Sequence, residues 1–177
     1  MTELIWPTAK KGTLTMEGGY QCDPDDKGNW TGGKCGVGEL KGTKYGISAM
    51  SYPHEDIKNL TKERAEYLYK RDYWDRCKCG FMPDPLSVAV FDYAINSGTA
   101  QAIKDLQRSL GVVVDGIIGN QTIGAANSKP LRKTLEDYIS RRIDYINEIS
   151  KKPKLKKYKD GWLNRVALLQ EACEALV

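Results

Sequence analysis

The chain has 177 residues, of which 41% are hydrophobic and 28% charged, and its formal net charge is +4. This balance is typical of a soluble globular protein, and the length allows a domain with a real hydrophobic core. Apolar runs such as residues 86–95 are far too short to span a bilayer, so we expect no stable membrane insertion. No recognition motif accompanies the mild basic excess, so we expect no nucleic-acid partner.

The sequence contains five cysteines, an odd number, and their spacing does not indicate a metal site. Cys77 and Cys79 are separated by one residue, which is not the usual spacing of a zinc ligand pair. We therefore expect no metal and no other cofactor. A cysteine nucleophile would need a histidine, and the only histidine of the sequence is His54, in a proline-containing loop. The sequence therefore does not indicate cysteine catalysis.

A glutamate beside two glycines is the first candidate for chemistry. Glu17 precedes Gly18 and Gly19, which stop a helix, and a short helix before them would place Glu17 at its carboxyl end. The partial negative charge there opposes ionisation and raises the pKa of a carboxyl group, as a general acid requires. Further carboxylates, which could stay ionised, follow at Asp23, Asp25 and Asp26. An ordinary glutamate before a loop is the plain alternative.

The rest of the chain divides into a glycine-rich part and a helical part. Residues 18–46 contain nine glycines and little apolar periodicity, which predicts a long loop or short strands. Apolar spacing and capping residues then predict helices over 61–75, 85–97, 99–110, 121–126, 130–152 and 161–175. We therefore predict an α+β fold that is mostly helical, with a small glycine-rich β lobe near the N-terminus. The lysine-rich run at 151–159 is either a solvated loop or a surface attracted to an anionic polymer.

An ordered series of motifs resembles glycoside hydrolase family 108, which are peptidoglycan muramidases of the lysozyme superfamily. The series covers about residues 10–127 and implies a lysozyme-like fold. It begins with Glu17-Gly18-Gly19-Tyr20, Asp23-Pro24 with Asp26, and Gly42-Thr43-Lys44-Tyr45-Gly46-Ile47-Ser48. It continues with Tyr69, Tyr73-Trp74-Asp75 and Phe91-Asp92-Tyr93-Ala94-Ile95-Asn96-Ser97-Gly98. Leu106-Gln107, Leu110-Gly111, Asp115-Gly116, Gly119 and Thr122 resemble the peptidoglycan-binding block that follows in that family. A purely structural role is an equal alternative for this block, since Asp-Gly alone marks a turn.

The resemblance implies a division into a catalytic lobe over 1–80, which bears the Glu17 motif, and a helical lobe over 81–177. The peptidoglycan-binding block would span about 86–127, and the two lobes would form one compact unit. One departure is an insertion. The family has only a few residues between its second aspartate and its threonine, whereas Lys27 to Gly42 intervene here, beside the predicted site, where they could reshape substrate binding.

The resemblance also implies roles for three residues. Glu17 is the general acid, Asp26 positions water or stabilises an oxocarbenium-like state, and Thr43 is a water-positioning hydroxyl. Asp23 and Asp25 compete with Asp26 for the second role. The plain alternatives are a turn residue for Asp26 and a strand residue for Thr43.

Aromatic side chains and one amide are candidates for binding the sugar. Tyr20, Tyr45, Tyr73 and Trp74 could line the groove, since sugar rings stack on aromatic faces. For Tyr73 and Trp74, packing in the helical core is an equal alternative. Asn96 reaches substrate or, with Asp92 four residues earlier, holds the two lobes together, and we favour the structural role for Asp92.

The predicted function is an N-acetylmuramidase, a lysozyme-like endolysin that cleaves the β-1,4 bond between N-acetylmuramic acid and N-acetylglucosamine. Its partner would be the peptidoglycan glycan strand, bound by a monomer. No signal peptide is visible, so we expect synthesis in the cytoplasm and release by a holin or a secretion system to act in the periplasm or cell wall. A lytic transglycosylase and a non-catalytic wall-binding or secretion-accessory protein are the alternatives.

Overall fold

A computed structural model describes residues 7, 9, 10 and 18–176 of the chain. These residues fall into two compact units. We call residues 18–71 the glycine-rich unit, and residues 72–176 together with 7, 9 and 10 the helical unit. The predicted division into 1–80 and 81–177 stays a prediction.

The glycine-rich unit contains a β-hairpin made by β1 (Thr43–Lys44) and β2 (Ile47–Ser48). Its two-residue turn has positive φ at both positions, +51° at Tyr45 and +77° at Gly46. This is the type I′ geometry, which matches the right-handed twist of the two strands. A bulky residue with positive φ is unusual, and the Tyr69 hydroxyl helps to hold it by donating to the Tyr45 carbonyl at 3.1 Å.

Helix α1 (Lys62–Tyr69) covers the hydrophobic core of the same unit. The Thr61 hydroxyl caps it by accepting a hydrogen bond from the Arg64 N–H at 3.1 Å. The helix continues as a π-helical segment, Lys70–Asp75, so the predicted helix over 61–75 is confirmed with a change of pitch at its end. The buried core residues are Ile47, Ala49, Ile57, Leu60, Ala65 and Leu68.

The helical unit is built around α2 (Asp84–Ser97), which packs against three other helices. Residues 85–94 of α2 are all buried, as its wide apolar face predicted. Gly98, with φ at +87°, ends α2 because few residues other than glycine adopt that angle. The remaining helices are α3 (Thr99–Leu110), α4 (Asn120–Ser128), α5 (Leu131–Ile149) and α6 (Lys159–Glu174).

Three predicted helix ends were wrong by two or three residues, one of them the end of α4, which reaches Ser128 rather than residue 126. The helix predicted to run to residue 152 ends at Ile149, where the Ser150 hydroxyl donates to the Ile146 carbonyl at 2.6 Å. The turn falls before Pro153 because a residue preceding proline avoids the helical conformation. The last helix begins at Lys159 rather than 161, because the 3₁₀ turn Lys156–Tyr158 leads directly into it.

The α+β prediction, mostly helical with a small β element in a glycine-rich part, is confirmed. Among the described residues, no helix has the length and apolar character needed to cross a bilayer. The same residues include no cluster of three or more histidine, cysteine, aspartate or glutamate side chains that could hold a metal ion.

Candidate active site

Glu17, the predicted general acid, lies outside the described residues. Gly18, which follows it in sequence, is the first residue of the glycine-rich unit that the structure describes. The Gly18 carbonyl accepts a hydrogen bond from the Tyr45 N–H at 3.0 Å. The chain that leaves Glu17 is therefore tied to the turn of the hairpin.

A buried asparagine organises the polar residues of this unit. Asn29 is fully buried, and its Nδ2 donates to Gln21 Oε1 at 2.8 Å and to the Asp23 carbonyl at 2.9 Å. Its Oδ1 accepts from the Thr43 hydroxyl at 2.7 Å and from Gln21 Nε2 at 3.0 Å. Gln21 Nε2 also lies 3.4 Å from Asp26 Oδ2. We call Gln21, Asp26, Asn29 and Thr43 the amide network; it links two of the three predicted catalytic residues.

Backbone pairing places Thr43 in this network. Gln21 forms a β-bridge with Thr43, with N–H to carbonyl distances of 2.9 and 2.8 Å, on the opposite side of β1 from its partner in β2. The Thr43 hydroxyl has donated its proton to Asn29, so its oxygen can only accept from a further partner. A water molecule bound there would donate a proton to Thr43 and keep a lone pair available.

Asp26 is held by the turn that it starts. Its Oδ1 accepts from the Gly28 N–H at 2.8 Å and caps the 3₁₀ turn Lys27–Asn29. This contact agrees with the turn role that was left open, while the side chain stays exposed to solvent. The Asp23 carboxylate instead accepts from the Asp25 N–H at 2.9 Å. Among the described residues, only the Asp26 carboxylate of the three joins the amide network.

The insertion at 27–42 forms backbone hydrogen bonds within the glycine-rich unit. The Asn29 carbonyl accepts from the Lys41 N–H at 2.9 Å and from the Gly42 N–H at 3.1 Å. Trp30 forms a β-bridge with Leu40, which closes the base of the insertion. The insertion therefore supplies Asn29, the central residue of the amide network.

Tyr20 lies beside the network and is 40% exposed. Its ring covers Gly42 so closely that a Cβ there would lie 2.7 Å from Tyr20 Cε2. The ring also lines an open groove of about 350 Å³ with Lys41, His54 and Asp56. A hydrogen bond with the Cys22 side chain, aided by partial burial, raises the pKa of Tyr20, so the phenol remains a hydrogen-bond donor at neutral pH.

Tyr45 offers a half-buried ring on the same unit. The ammonium groups of Lys44 and Lys62 lie 5.3 and 6.0 Å from its centroid, within the range of cation–π attraction. These contacts place two positive charges against the Tyr45 ring.

The other three predicted substrate residues belong to the helical unit. Trp74 is 3% exposed and packs edge-on against Phe91, with centroids 5.5 Å apart, so it has no face available for a sugar. Tyr73 is half-buried. Asn96 is exposed, and its Nδ2 donates to the Asp92 carbonyl at 3.1 Å.

The Leu106-Gln107 and Asp115-Gly116 motifs form one folded turn. The buried Gln107 donates to Asp115 Oδ1 at 2.7 Å and to the Ile117 carbonyl at 3.0 Å. Its own Oε1 accepts from the Gly116 N–H at 2.8 Å. The bond from Gln107 lowers the pKa of Asp115 below its usual range. The polar side chains of this motif are thus engaged within the fold.

Sequence reasoning missed Gln21 and Asn29. Gln21 follows Tyr20 in a motif that was recognised, and Asn29 lies in the insertion. The only signal for either was an amide side chain in a glycine-rich segment. Such a signal does not say which amides become buried.

Known proteins resemble this chain over nearly all of its length. Residues 11–98 match the family model described as Glycosyl hydrolase 108, and residues 101–167 match the one described as Predicted Peptidoglycan domain. The solved structure titled "Structure of Brucella abortus SagA" is similar with a TM-score of 0.77 and 25% sequence identity, over 98% of this chain and 96% of that chain. No curated protein matches the sequence.

Proposed function

Because the chain belongs to glycosyl hydrolase family 108, we propose that it is an N-acetylmuramidase that hydrolyses the β-1,4 bond between N-acetylmuramic acid and N-acetylglucosamine. The family and the lysozyme-like fold expected from the motifs are confirmed. The two family matches make the chain a peptidoglycan hydrolase of the glycoside hydrolase class. The bond that is cleaved and the residues that cleave it are the proposal.

The amide network is the observation that carries this proposal. Glycoside hydrolysis by water needs an acid for the leaving oxygen and a group that holds the attacking water. In the proposed mechanism, Glu17 protonates the glycosidic oxygen. Water donates one hydrogen bond to the Thr43 oxygen, whose own proton is committed to Asn29. Asp26, held by the Gly28 N–H, accepts the other proton or stabilises positive charge on the sugar.

Substrate binding is proposed for the two aromatic rings of the glycine-rich unit that are exposed or half-buried. Tyr20 and Tyr45 would stack on sugar rings or donate to their hydroxyls. On the helical unit, Tyr73 and Asn96 are proposed to contact sugar, whereas the burial of Trp74 supports a packing role. We further propose that the protein acts as a monomer on glycan strands in the periplasm or cell wall, reached through a holin or a secretion system.

A lytic transglycosylase is the second candidate within enzymes. It uses an acid but no attacking water, and releases 1,6-anhydromuramic acid ends. The arrangement of Thr43 as an obligate acceptor favours hydrolysis, because a transglycosylase has no need of a group that holds water. A wall-binding protein without activity would need neither Glu17 nor Asp26.

The test is digestion of purified Gram-negative sacculi, followed by mass analysis of the soluble products. Wild type should release muropeptides with reducing muramic acid ends, and Glu17→Gln should be at least about 100-fold slower because the proton donor is gone. Glu39→Gln is the matched control, since that carboxylate pairs with Lys41 at the surface. Anhydro products would show a transglycosylase. Binding without release by wild type would show a wall-binding protein.

The second carboxylate is tested in the same way. Asp26→Asn should lower the rate strongly, and Asp25→Asn should leave it unchanged, because Asp25 donates its N–H to Asp23 and is exposed. Equal rates for the two variants would remove Asp26 from the mechanism.

A further inference from the structure

One segment of the helical unit accounts for the positive charge of the whole chain. Residues 151–159 contain six lysines and no acidic residue, whereas the net charge of the chain is only +4. The segment follows α5, includes the 3₁₀ turn Lys156–Tyr158 and leads into α6. The rest of the chain is therefore net negative, and the basic character belongs to one surface.

The lysines of this segment do little to hold the fold. Lys152, Lys154, Lys156 and Lys157 are exposed, and none of them forms an ion pair with another described residue. In the same segment, the Lys151 ammonium pairs with the Glu148 carboxylate. Like charges at this density repel one another and attract an anionic partner, and salt screens that attraction.

Two aromatic rings lie directly beside the lysines. Tyr158 is 48% exposed, and its ring centroid lies 5.7 Å from that of the half-buried Trp162, at an interplanar angle of 31°. The Lys157 ammonium lies 4.9 Å from the Tyr158 centroid. Rings of this kind stack on the apolar faces of sugars. The following residues are called the basic–aromatic surface: Lys152, Lys154, Lys156, Lys157, Tyr158 and Trp162.

A groove of about 500 Å³ extends from Trp162, and Leu168 and the amides Asn96 and Asn164 also line it. That volume is within the range of ligand pockets. Asn96 donates from Nδ2 to the Asp92 carbonyl at 3.1 Å, and no described donor reaches its Oδ1. Asn164 is exposed, and its side chain bonds to no described residue. Amides beside an aromatic ring suit the hydroxyl and N-acetyl groups of an amino sugar.

The peptidoglycan-domain match, residues 101–167, includes the whole basic–aromatic surface. The polar side chains of its motif, Gln107 and Asp115, bond to each other within the fold. The exposed side chains of that motif, Val113 and Ile117, offer neither a charge nor a ring. Binding by charge and stacking therefore falls to another part of the matched span, and the basic–aromatic surface presents both.

We propose that the basic–aromatic surface binds peptidoglycan, with a sugar ring against Trp162 in the groove and stem carboxylates facing the lysines. The inference rests on the proposed function, which makes peptidoglycan the partner. The polymer alternates sugar rings with stems that carry carboxylates, so it complements rings and lysines together. A membrane-binding surface would instead insert its apolar side chains into lipid, whereas Trp162, the larger ring, is half-buried.

The probe is the disaccharide peptide, N-acetylglucosaminyl-N-acetylmuramic acid with its stem, titrated into the full chain in a calorimeter. It lacks the bond from muramic acid to glucosamine that the proposed enzyme cleaves, so binding is measured without turnover. The matched ligand has the stem carboxylates converted to carboxamides and should bind at least about threefold more weakly. Equal affinities, or no binding of the free-acid probe, would overturn the proposal.

Two lysine variants with the same net charge test the surface. The first combines three substitutions in the basic–aromatic surface: Lys152→Gln, Lys154→Gln and Lys156→Gln. The second combines three at exposed lysines elsewhere in the matched span: Lys104→Gln, Lys129→Gln and Lys133→Gln. The first should weaken binding at least about fivefold and the second less than about twofold. Equal effects would mean attraction to the overall charge, and would refute a defined surface.

The stacking role is tested with exposed aromatics of the helical unit. Trp162→Ala should weaken binding at least about fivefold and Tyr158→Ala about threefold. Phe81→Ala is the matched control, since Phe81 is 65% exposed and does not belong to the surface, and it should leave the affinity unchanged. If Trp162→Ala does not fold, Tyr158→Ala decides. Unchanged binding in the folded variants would refute the stacking assignment.

Failure of this inference and failure of the proposed function give different results. A preparation that releases muropeptides from sacculi, but whose affinity for the probe ignores the lysine and aromatic substitutions, is a muramidase without this surface. One that binds through the surface but releases nothing is a wall-binding protein. If the first lysine variant loses binding only to phosphatidylglycerol vesicles or single-stranded DNA, the surface serves another partner and the proposal is wrong.

Discussion

Replacement of Asn29 by alanine is the sharpest test of the candidate site. The side chain is fully buried and takes part in four hydrogen bonds, with Gln21 (two), the Asp23 carbonyl and the Thr43 hydroxyl. At about 1 kcal/mol for each neutral bond, and with some replacement by water, the loss is about 2–4 kcal/mol. For a chain of this size, that lowers Tm by roughly 5–15 °C.

The assay pairs thermal unfolding followed by circular dichroism with digestion of sacculi. Asn59→Ala is the matched control, because Asn59 is exposed and its Nδ2 donates only to Asp56 at 2.9 Å. It should shift Tm by no more than about 2 °C. Asn29→Ala should also slow digestion at least about tenfold at temperatures where it is folded, because Thr43 loses the acceptor that orients its hydroxyl.

If Asn29→Ala keeps the wild-type Tm within about 2 °C and digests at the wild-type rate, the amide network neither stabilises the unit nor orients Thr43. Loss of activity with unchanged Tm would keep the orienting role and refute the stability estimate.

Gly46→Ala should cost more than Gly36→Ala, although φ is +77° and +78° at the two glycines. A Cβ at Gly46 would lie 2.3 Å from Tyr69 Oη, whereas the space around Gly36 is open. We expect backbone strain to lower the free energy of unfolding by about 1 kcal/mol in each variant. The contact with Tyr69 should add a further loss only in Gly46→Ala. Asp92→Asn should destabilise by about 3–5 kcal/mol, because Arg142 and Arg165, which lie 2.8 and 2.7 Å from the buried Asp92 carboxylate, lose its charge. Burial raises the pKa of Cys173 from 9.0 to about 12, so its contribution to stability is complete below pH 9 and is lost as the pH rises towards 12.

The measurements for these variants are simple. Urea midpoints of the two glycine variants give their difference, and equal midpoints would mean that the hairpin turn accommodates the methyl group. A small loss of stability in Asp92→Asn would show that water already solvates Arg142 and Arg165. Thermal unfolding from pH 8 to 11 should show Tm falling above pH 9, with a shallower fall in Cys173→Ala. Parallel curves for that variant and wild type would remove Cys173 as a cause.

The helices were predictable because their signals are local. Pro85 at the start of α2 and Gly98 at its end bracket a run of apolar residues, and these signals act within one or two turns. The end of α5 was misjudged because the effect of Pro153 begins before the proline itself. Boundaries of this kind depend on which of several weak signals acts first.

The amide network was beyond prediction because its contacts link segments that have no periodic pattern. Asn29 is 8 residues from Gln21 and 14 from Thr43, and the path between them runs through glycine turns. Each positive φ angle in those turns changes the direction of the chain. The motif residues Asp26 and Thr43 were identified by resemblance, but the residue that joins them was not.

The ion pair between Asp92 of α2 and Arg165 of α6, 2.7 Å apart, also bears on how the chain is made. Asp92 and Arg165 are separated by 73 residues, so a ribosome that has synthesised α2 still has most of the helical unit to produce. Until α6 emerges, α2 lacks the helix that packs against one of its faces, and Asp92 lacks its contact with Arg165. The glycine-rich unit does not depend on a distant segment, since its hydrogen bonds link residues of one continuous stretch. We therefore expect the glycine-rich unit to fold during translation, and the helical unit to complete its fold only after α6 has left the ribosome.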